Sequence, residues 1–331
     1  MGRVPATAET DVERIDGVPS AALQRAIRAV SAAATEQDGA VPLSDAAVLS
    51  PGANSVHLCV WSAGEGHRPK DRQLDGYAFV DPETGIAEIV VRPAARGRGM
   101  GGALMAAALA AGGRGFWAHG DLPAAKALAE GHGARAERTL FLLERVEDPS
   151  GSPASAAGPT PSELGLPEGF VLRPYAGPAD DAGLLRVNAA AFTDLPDQGQ
   201  WSRSDLRARV EADWFDAGGL LVLERSNADV GGAGGTDRGA IVGFHWTKVH
   251  PDNTGEVYVL ALDPAVQGHG LAEPLTRAGL AQLARRGCTD VILFVDAGNA
   301  RALRLYEGLG FARQRRDVLY AASARSSRVL D

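Results

Sequence analysis

One order of strand, turn, loop and helix occurs twice in this chain, and the duplication limits the folds open to it. Residues 87–112 read AEIVVRPAARGRGMGGALMAAALAAG, and residues 257–287 read VYVLALDPAVQGHGLAEPLTRAGLAQLARRG. Each opens on a β-branched or aromatic run, turns at an x-Pro step, passes a glycine-rich loop and continues at helical spacing. Leu104, Ala107, Ala108 and Ala111 form the first helical stripe; Leu275, Ala278, Leu280 and Leu283 form the second more loosely. The pairing then continues. FWAHG (116–120) matches VILFVDAG (291–298), and PAAKALAEGHGARAERTLFLLE (123–144) matches NARALRLYEGLGFARQRRDVLY (299–320). Each of these last segments reads as a helix closed by a left-handed glycine, Gly133 or Gly310, followed by a strand. Self-similarity on this scale marks an internal repeat.

The halves are separated by DPSGSPASAAGPTPSELGLPE (148–168), rich in Pro, Gly, Ser and Ala without apolar period. It reads as a linker. The predicted division is therefore 1–147, a linker 148–168, and 169–331. A length of 331 residues suits two domains. Amphipathic helices are predicted at 20–35 and 180–192, and strands at 220–224 and 240–248, joined by the glycine-rich turn SNADVGGAGGTDRG. Each half is thus mixed α/β.

Composition excludes several classes of function. The net charge of −8 and pI near 5.4 argue against general nucleic-acid binding. The longest small-apolar run, Gly101 to Gly113, is too short to span a membrane, and the acidic N-terminal stretch is no signal peptide. Two cysteines, Cys59 and Cys288, make neither a disulfide framework nor a metal set, which fits a reducing cytoplasm. The seven histidines show no metal-ligand spacing, so no metal is predicted.

The chemistry lies in the two loops, Arg96-Gly97-Arg98-Gly99-Met100-Gly101-Gly102 and Gln267-Gly268-His269-Gly270-Leu271-Ala272. A small-residue loop opening a helix offers free backbone N–H groups and the positive end of the helix dipole to a pyrophosphate. A single such loop would read as a plain turn; two at equivalent places favour a ligand. A Rossmann dinucleotide site is the competing reading, but the acid expected at the end of the following strand is missing.

The loops resemble the Q/R-x-x-G-x-G/A acetyl-coenzyme A motif of the GCN5-related N-acetyltransferase (GNAT) superfamily. Arg96, Gly99 and Gly101 fit it, as do Gln267, Gly270 and Ala272; Asn299 with Tyr306-Glu307-Gly308-Leu309-Gly310-Phe311 fits a second signature. The tandem arrangement, with FWAHG, LLRVNAAAF, DQGQW, GFHWTKVHPD and GEVYVLALDP, resembles the mycothiol synthases over nearly the whole chain. That resemblance implies an α+β fold of two tandem GNAT domains, each a mixed, mostly antiparallel twisted sheet flanked by helices. It implies a cytoplasmic, actinobacterial monomer that acetylates the cysteinyl amine of desacetylmycothiol (Cys-GlcN-Ins), with no nucleic-acid or membrane partner. Acetyl-CoA is the cosubstrate, one per domain, and only the C-terminal domain catalyses.

The resemblance also implies a set of site residues. Acetyl-CoA would meet Ile89, Val90, Val91 and the first loop in the N-terminal half. In the C-terminal half it would meet Leu260, Ala261, Leu262, the second loop and Glu273, and then Asn299, Ala300, Arg301, Ala302, Leu303 and Arg304. Asp45, Asp197, Lys248, Glu256 and Phe294 would bind the acceptor. Asp45 and Asp197 replace family glutamates, and Phe294 replaces a tyrosine, so one polar contact is lost or replaced.

The residues themselves support this asymmetry between the halves. Amide formation from a thioester needs a neutral amine, a donor for the developing oxyanion and a route for the thiolate to leave. Glu256 is the candidate base, although a strand Glu also suits a surface ion pair. Tyr306 is the candidate acid, although a helix-face aromatic also suits a core. The oxyanion donor would be a backbone N–H on the 260–262 strand. Aligning the halves on their loops sets Glu256 opposite Gly85, and aligning them on the late helix sets Tyr306 opposite Ala129, so the first half lacks both groups. Another amine acceptor, such as a protein N-terminus or an aminoglycoside, would use the same motifs, and so would a non-catalytic acyl-CoA sensor.

Overall fold

The computed structural model describes residues 10–48, 52, 54–62, 72–146, 160–226 and 239–322, without the side chains of residues 45, 46, 161, 196 and 197. Most of the predicted linker and of the 226–239 turn lies outside the described residues. The first half runs β1 (Glu13–Asp16), α1 (Ala21–Asp38), α2 (Asp45–Val48), β2 (Val56–Trp61), β3 (Leu74–Asp81), β4 (Ile86–Val91), α3 (Met100–Ala110), β5 (Gly115–Ala118), α4 (Pro123–Gly131) and β6 (Arg135–Val146). The second runs α5 (Pro161–Leu164), β7 (Phe170–Pro174), α6 (Asp181–Ala191), α7 (Pro196–Gly199), α8 (Arg203–Val210), β8 (Leu220–Arg225), β9 (Ala240–Val249), β10 (Gly255–Leu262), α9 (Ala272–Arg285), β11 (Asp290–Asp296), α10 (Ala300–Gly308) and β12 (Ala312–Ala321).

Local signals account for most of these boundaries. Ser20 accepts the N–H of Leu23 and caps α1, which closes on left-handed Gly39. Gly133 and Gly310 follow their helices with φ of +75° and +86°, a conformation that favours glycine.

Two compact units form: residues 1–140 with 315–331, and residues 141–314. Residues 315–322 thus group with the first unit and residues 141–146 with the second. In the first unit the strand order is β1-β2-β3-β4-β5-β12. Neighbours are antiparallel except β4 and β5. The sixth strand, β12, comes from the second half of the sequence, with Val318 opposite Ala118 and Tyr320 opposite Phe116. In the second unit the order is β6-β11-β10-β9-β8-β7, with β10 and β11 parallel. Each unit therefore completes its sheet with a strand from the other half.

Helices cover both faces of each sheet. In the first unit Leu23, Ile27 and Val30 of α1 pack with Tyr77, Phe79 and Val90. Leu104, Met105 and Ala108 of α3 pack on the opposite face with Ala78, Val80 and Ala87. In the second unit Leu184, Val187 and Leu206 meet Phe244, Trp246 and Val259. Leu280, Leu283 and Leu303 meet Val257, Val291 and Leu293 on the other face. The alternation of side chains along each strand makes this division possible.

Candidate active site

Within the second unit β10 and β11 pair over only three positions, Gly255 with Val291, Glu256 with Ile292, and Val257 with Leu293. β10 continues to Leu262 and β11 to Asp296, so the parallel ladder opens after Val257. Beyond that point some backbone N–H and C=O groups of residues 258–262 face the opening without a β11 partner. The register of β10 with β9 shifts between Val257 and Val259, leaving Tyr258 as an extra residue. Such a bulge bends a strand and re-aims its side chains.

The second glycine loop lies where β10 ends. Gly268 and Gly270 have φ of +89° and +73°, and a β-carbon on either would meet nothing within 4 Å. The backbone is thus presented to open space, as a phosphate ligand requires. In α9 Leu275 N–H bonds Leu271 O, and the amides before it lie at the helix start. Gln267 extends its side-chain nitrogen to the Leu262 carbonyl at 3.5 Å, the limit of a hydrogen bond, and His269 Nδ1 lies 3.1 Å from Val266 O. In the first unit Arg96 Nε likewise donates to Val91 O (3.0 Å), while its terminal nitrogens bind Asp38 at 2.8 and 2.6 Å. The leading motif residue therefore ties the loop to the last carbonyl of its strand in both units. The residues present fit a pyrophosphate through backbone amides.

Several predicted contacts have other employment. Asn299 caps α10, its Oδ1 accepting Ala302 N–H at 3.0 Å. Leu271, Leu303 and Val90 are core residues, so only their backbones remain available to a cofactor. Glu273 turns along α9 to Arg277, 2.7 Å away. Arg301 and Arg304 are exposed on α10.

Glu256 sits at the middle of the three paired positions and is 8% exposed. Lys248 stands directly opposite on β9, with its Nζ 5.1 Å from the Trp214 ring centre and 5.6 Å from that of Tyr258. Phe294 is the first β11 residue past the last pair and is 41% exposed. Strand alternation puts it on the Glu256 face. The fold thus gathers three predicted acceptor residues on one face of the split. Asp45 begins α2 and Asp197 lies in α7, with side chains outside the described residues.

Tyr306 approaches from the opposite face, packed with Val257, Leu293, Leu303 and Phe311. Burial pushes its phenol up to about 12, so it holds its proton at neutral pH. A protonated phenol is a competent acid for a departing thiolate.

The residue that sequence reading passed over is His250. Its Nε2 lies 2.8 Å from Glu256 Oε2. The signal was the turn between the two: His250 and Asn253 flank a tight reversal that brings residue 250 beside residue 256.

In the first unit β4 and β5 also part after three pairs, Ile86 to Glu88 with Gly115 to Trp117. The ladder of β3 and β4 has no bulge. Counting paired positions back from the strand ends, so that the unpaired Tyr258 is left out, Glu256 matches Ile86, one residue from the Gly85 expected from loop alignment. The bulge at Tyr258 accounts for the shift. Ile86 carries no titratable group, and Ala129, opposite Tyr306, carries none either.

A glycine loop opening a helix beside parting parallel strands, carried twice, defines the class as acetyltransferases of the GNAT type. The acetyltransferase (GNAT) family model matches residues 188–311. A tandem GNAT protein from the clavulanic acid pathway shares the fold at a TM-score of 0.64 and 18% identity, covering 94% of this chain and 98% of that one. Mycothiol acetyltransferase of Nocardia farcinica is 46% identical across 94% of this chain and 96% of its own length. That of Thermobispora bispora is 40% identical across 90% and 95%. The chain belongs to the mycothiol acetyltransferase family. Among the described residues, no helix is long and apolar enough to cross a membrane, and no group of His, Cys, Asp or Glu is placed to hold a metal.

Proposed function

We propose that this protein transfers an acetyl group from acetyl-CoA to the cysteinyl amine of desacetylmycothiol, forming mycothiol. The near full-length relationship to mycothiol acetyltransferases carries the reading. The split sheet and its glycine loop support it. Acetyl-CoA supplies the thioester.

Glu256 takes the proton that the amine loses as it attacks. A backbone N–H of the 260–262 stretch that faces the opening receives the charge that builds on the carbonyl oxygen. Tyr306 delivers its proton to the leaving sulfur from the other face. Base and acid thus approach a thioester threaded through the split from opposite sides. Lys248 borders the acceptor face, while Phe294 offers an apolar edge there. The first unit keeps a loop but has no counterpart of Glu256 or Tyr306, which supports a binding role for it and catalysis in the second.

The test is mass-spectrometric detection of product from purified protein, acetyl-CoA and Cys-GlcN-Ins, against a no-enzyme control. N-acetylated product formed over many turnovers is expected. No product from protein that still binds acetyl-CoA would overturn the acceptor assignment and favour another amine.

A further inference from the structure

We infer that His250 is a positioning residue that holds the Glu256 carboxylate in line for proton transfer, an inference that rests on Glu256 being the base. His250 closes the β9–β10 hairpin. Its N–H bonds Thr254 O at 2.8 Å, and its own carbonyl accepts Asn253 N–H at 2.9 Å. Asn253 takes the left-handed conformation, φ +68°, and donates its side-chain N–H to Gly287 O at 2.7 Å. The turn is therefore braced against the end of α9, and the imidazole starts from a fixed backbone.

From that position Nε2 donates to Glu256 Oε2 across 2.8 Å. A glutamate side chain has three rotatable bonds and loses considerable freedom when fixed. With Oε2 held by the imidazole, Oε1 is left for the acceptor amine. The imidazole side chain is 28% exposed and the carboxylate side chain 11%. His250 is therefore the more exposed member of the pair. Lys248, across the ladder on β9, is a second side chain whose register sets it beside Glu256. A misplacement of about 1 Å in a reacting group can cost roughly 100-fold in rate, and loss of an orienting partner typically costs about 10–100-fold.

The experiment compares His250→Ala, His250→Gln and Glu256→Gln in the full-length protein by steady-state kinetics, with thermal unfolding as a control. His250→Ala is expected to lower kcat about 10- to 100-fold with KM for acetyl-CoA unchanged. His250→Gln, whose amide nitrogen can occupy the place of Nε2, is expected to restore most of it, as is added imidazole with the Ala variant. Wild-type kcat in His250→Ala alongside an impaired Glu256→Gln would overturn the inference alone. Equal losses in Ala and Gln variants, unmoved by imidazole, would also overturn it by assigning His250 a merely structural role. Wild-type kcat in Glu256→Gln would overturn the reading of Glu256 as base, and the inference with it.

Discussion

His119 Nδ1 lies 3.0 Å from Asp317 Oδ2, a contact between residues 198 positions apart in sequence. Asp317 sits on the strand that the second half contributes to the first unit, and its other oxygen accepts Gly120 N–H at 2.8 Å. On the far side of the ring Nε2 is 3.8 Å from Glu88 Oε1, an ion-pair contact too long for a hydrogen bond. Burial by itself lowers the imidazole pKa, but Asp317 and Glu88 more than reverse it, to about 9.

That raised value has a definite sign. The stabilisation from charged His119 is fully present below the unfolded value of about 6.5 and is lost as pH rises through about 9. Thermal unfolding should show a midpoint falling between these pH values. Asp317→Asn should be destabilised by about 3–5 kcal/mol at pH 6, the usual cost of breaking a buried pair, and its midpoint should fall less over the same range. An equal fall in both proteins would contradict the assignment.

His245 works in the opposite direction. Burial holds its imidazole near 4, against a weaker opposing contribution from the Leu275 carbonyl. The folded state therefore keeps it neutral, and stability declines as pH drops from about 6.5 toward 4. Replacing His245 with Gln should flatten that part of a urea-midpoint profile; an unchanged slope would place the acid sensitivity elsewhere.

Gly279 leaves room for the same ring. A β-carbon there would fall 2.0 Å from His245 Cε1, and the ring is anchored by Nδ1 to Leu275 O at 2.9 Å. Gly279→Ala should cost about 1–3 kcal/mol through overpacking, despite the better helix propensity of Ala. Calorimetry would show a lower unfolding temperature; a higher one would mean that the sheet and α9 can separate at no cost.

The catalytic pair should separate chemistry from binding. Glu256→Gln is expected to lower kcat by about 100- to 10,000-fold, the usual span for a general base. Tyr306→Phe should also lower kcat, because the phenol proton is lost from an otherwise unchanged core position. Titration calorimetry should find acetyl-CoA binding retained in both. Full turnover in either variant would remove the corresponding role.

The two loops should respond differently to the same change. Gly99 and Gly270 have φ of +83° and +73°, where an alanine costs about 1–2 kcal/mol. Gly270→Ala should raise KM for acetyl-CoA roughly 5- to 30-fold, the equilibrium equivalent of that strain. Gly99→Ala should leave kcat and KM alone while weakening a second binding event seen by calorimetry. A matching loss of activity in both variants would show that the first unit takes part in turnover.

The duplication, the two loops and the left-handed glycines were legible in the residues because each depends on backbone preferences and neighbours a few positions away. The GNAT class followed from those same local features. Tertiary structure decided what depends on distant partners. β12 and β6 complete sheets in units other than those their sequence positions suggest, because a strand edge is satisfied by whichever strand supplies its hydrogen bonds. The single extra residue at Tyr258 moves the match of Glu256 from Gly85 to Ile86, and a bulge has no mark in a run of apolar residues. Arg96 and Gln267 turn toward strand carbonyls, and His250 meets Glu256, only once two strands and a turn are folded against each other. The sequence by itself determined the local conformations and the kind of chemistry; long-range strand pairing decided which side chains meet, because hydrogen bonds between distant segments are specified by the whole sheet.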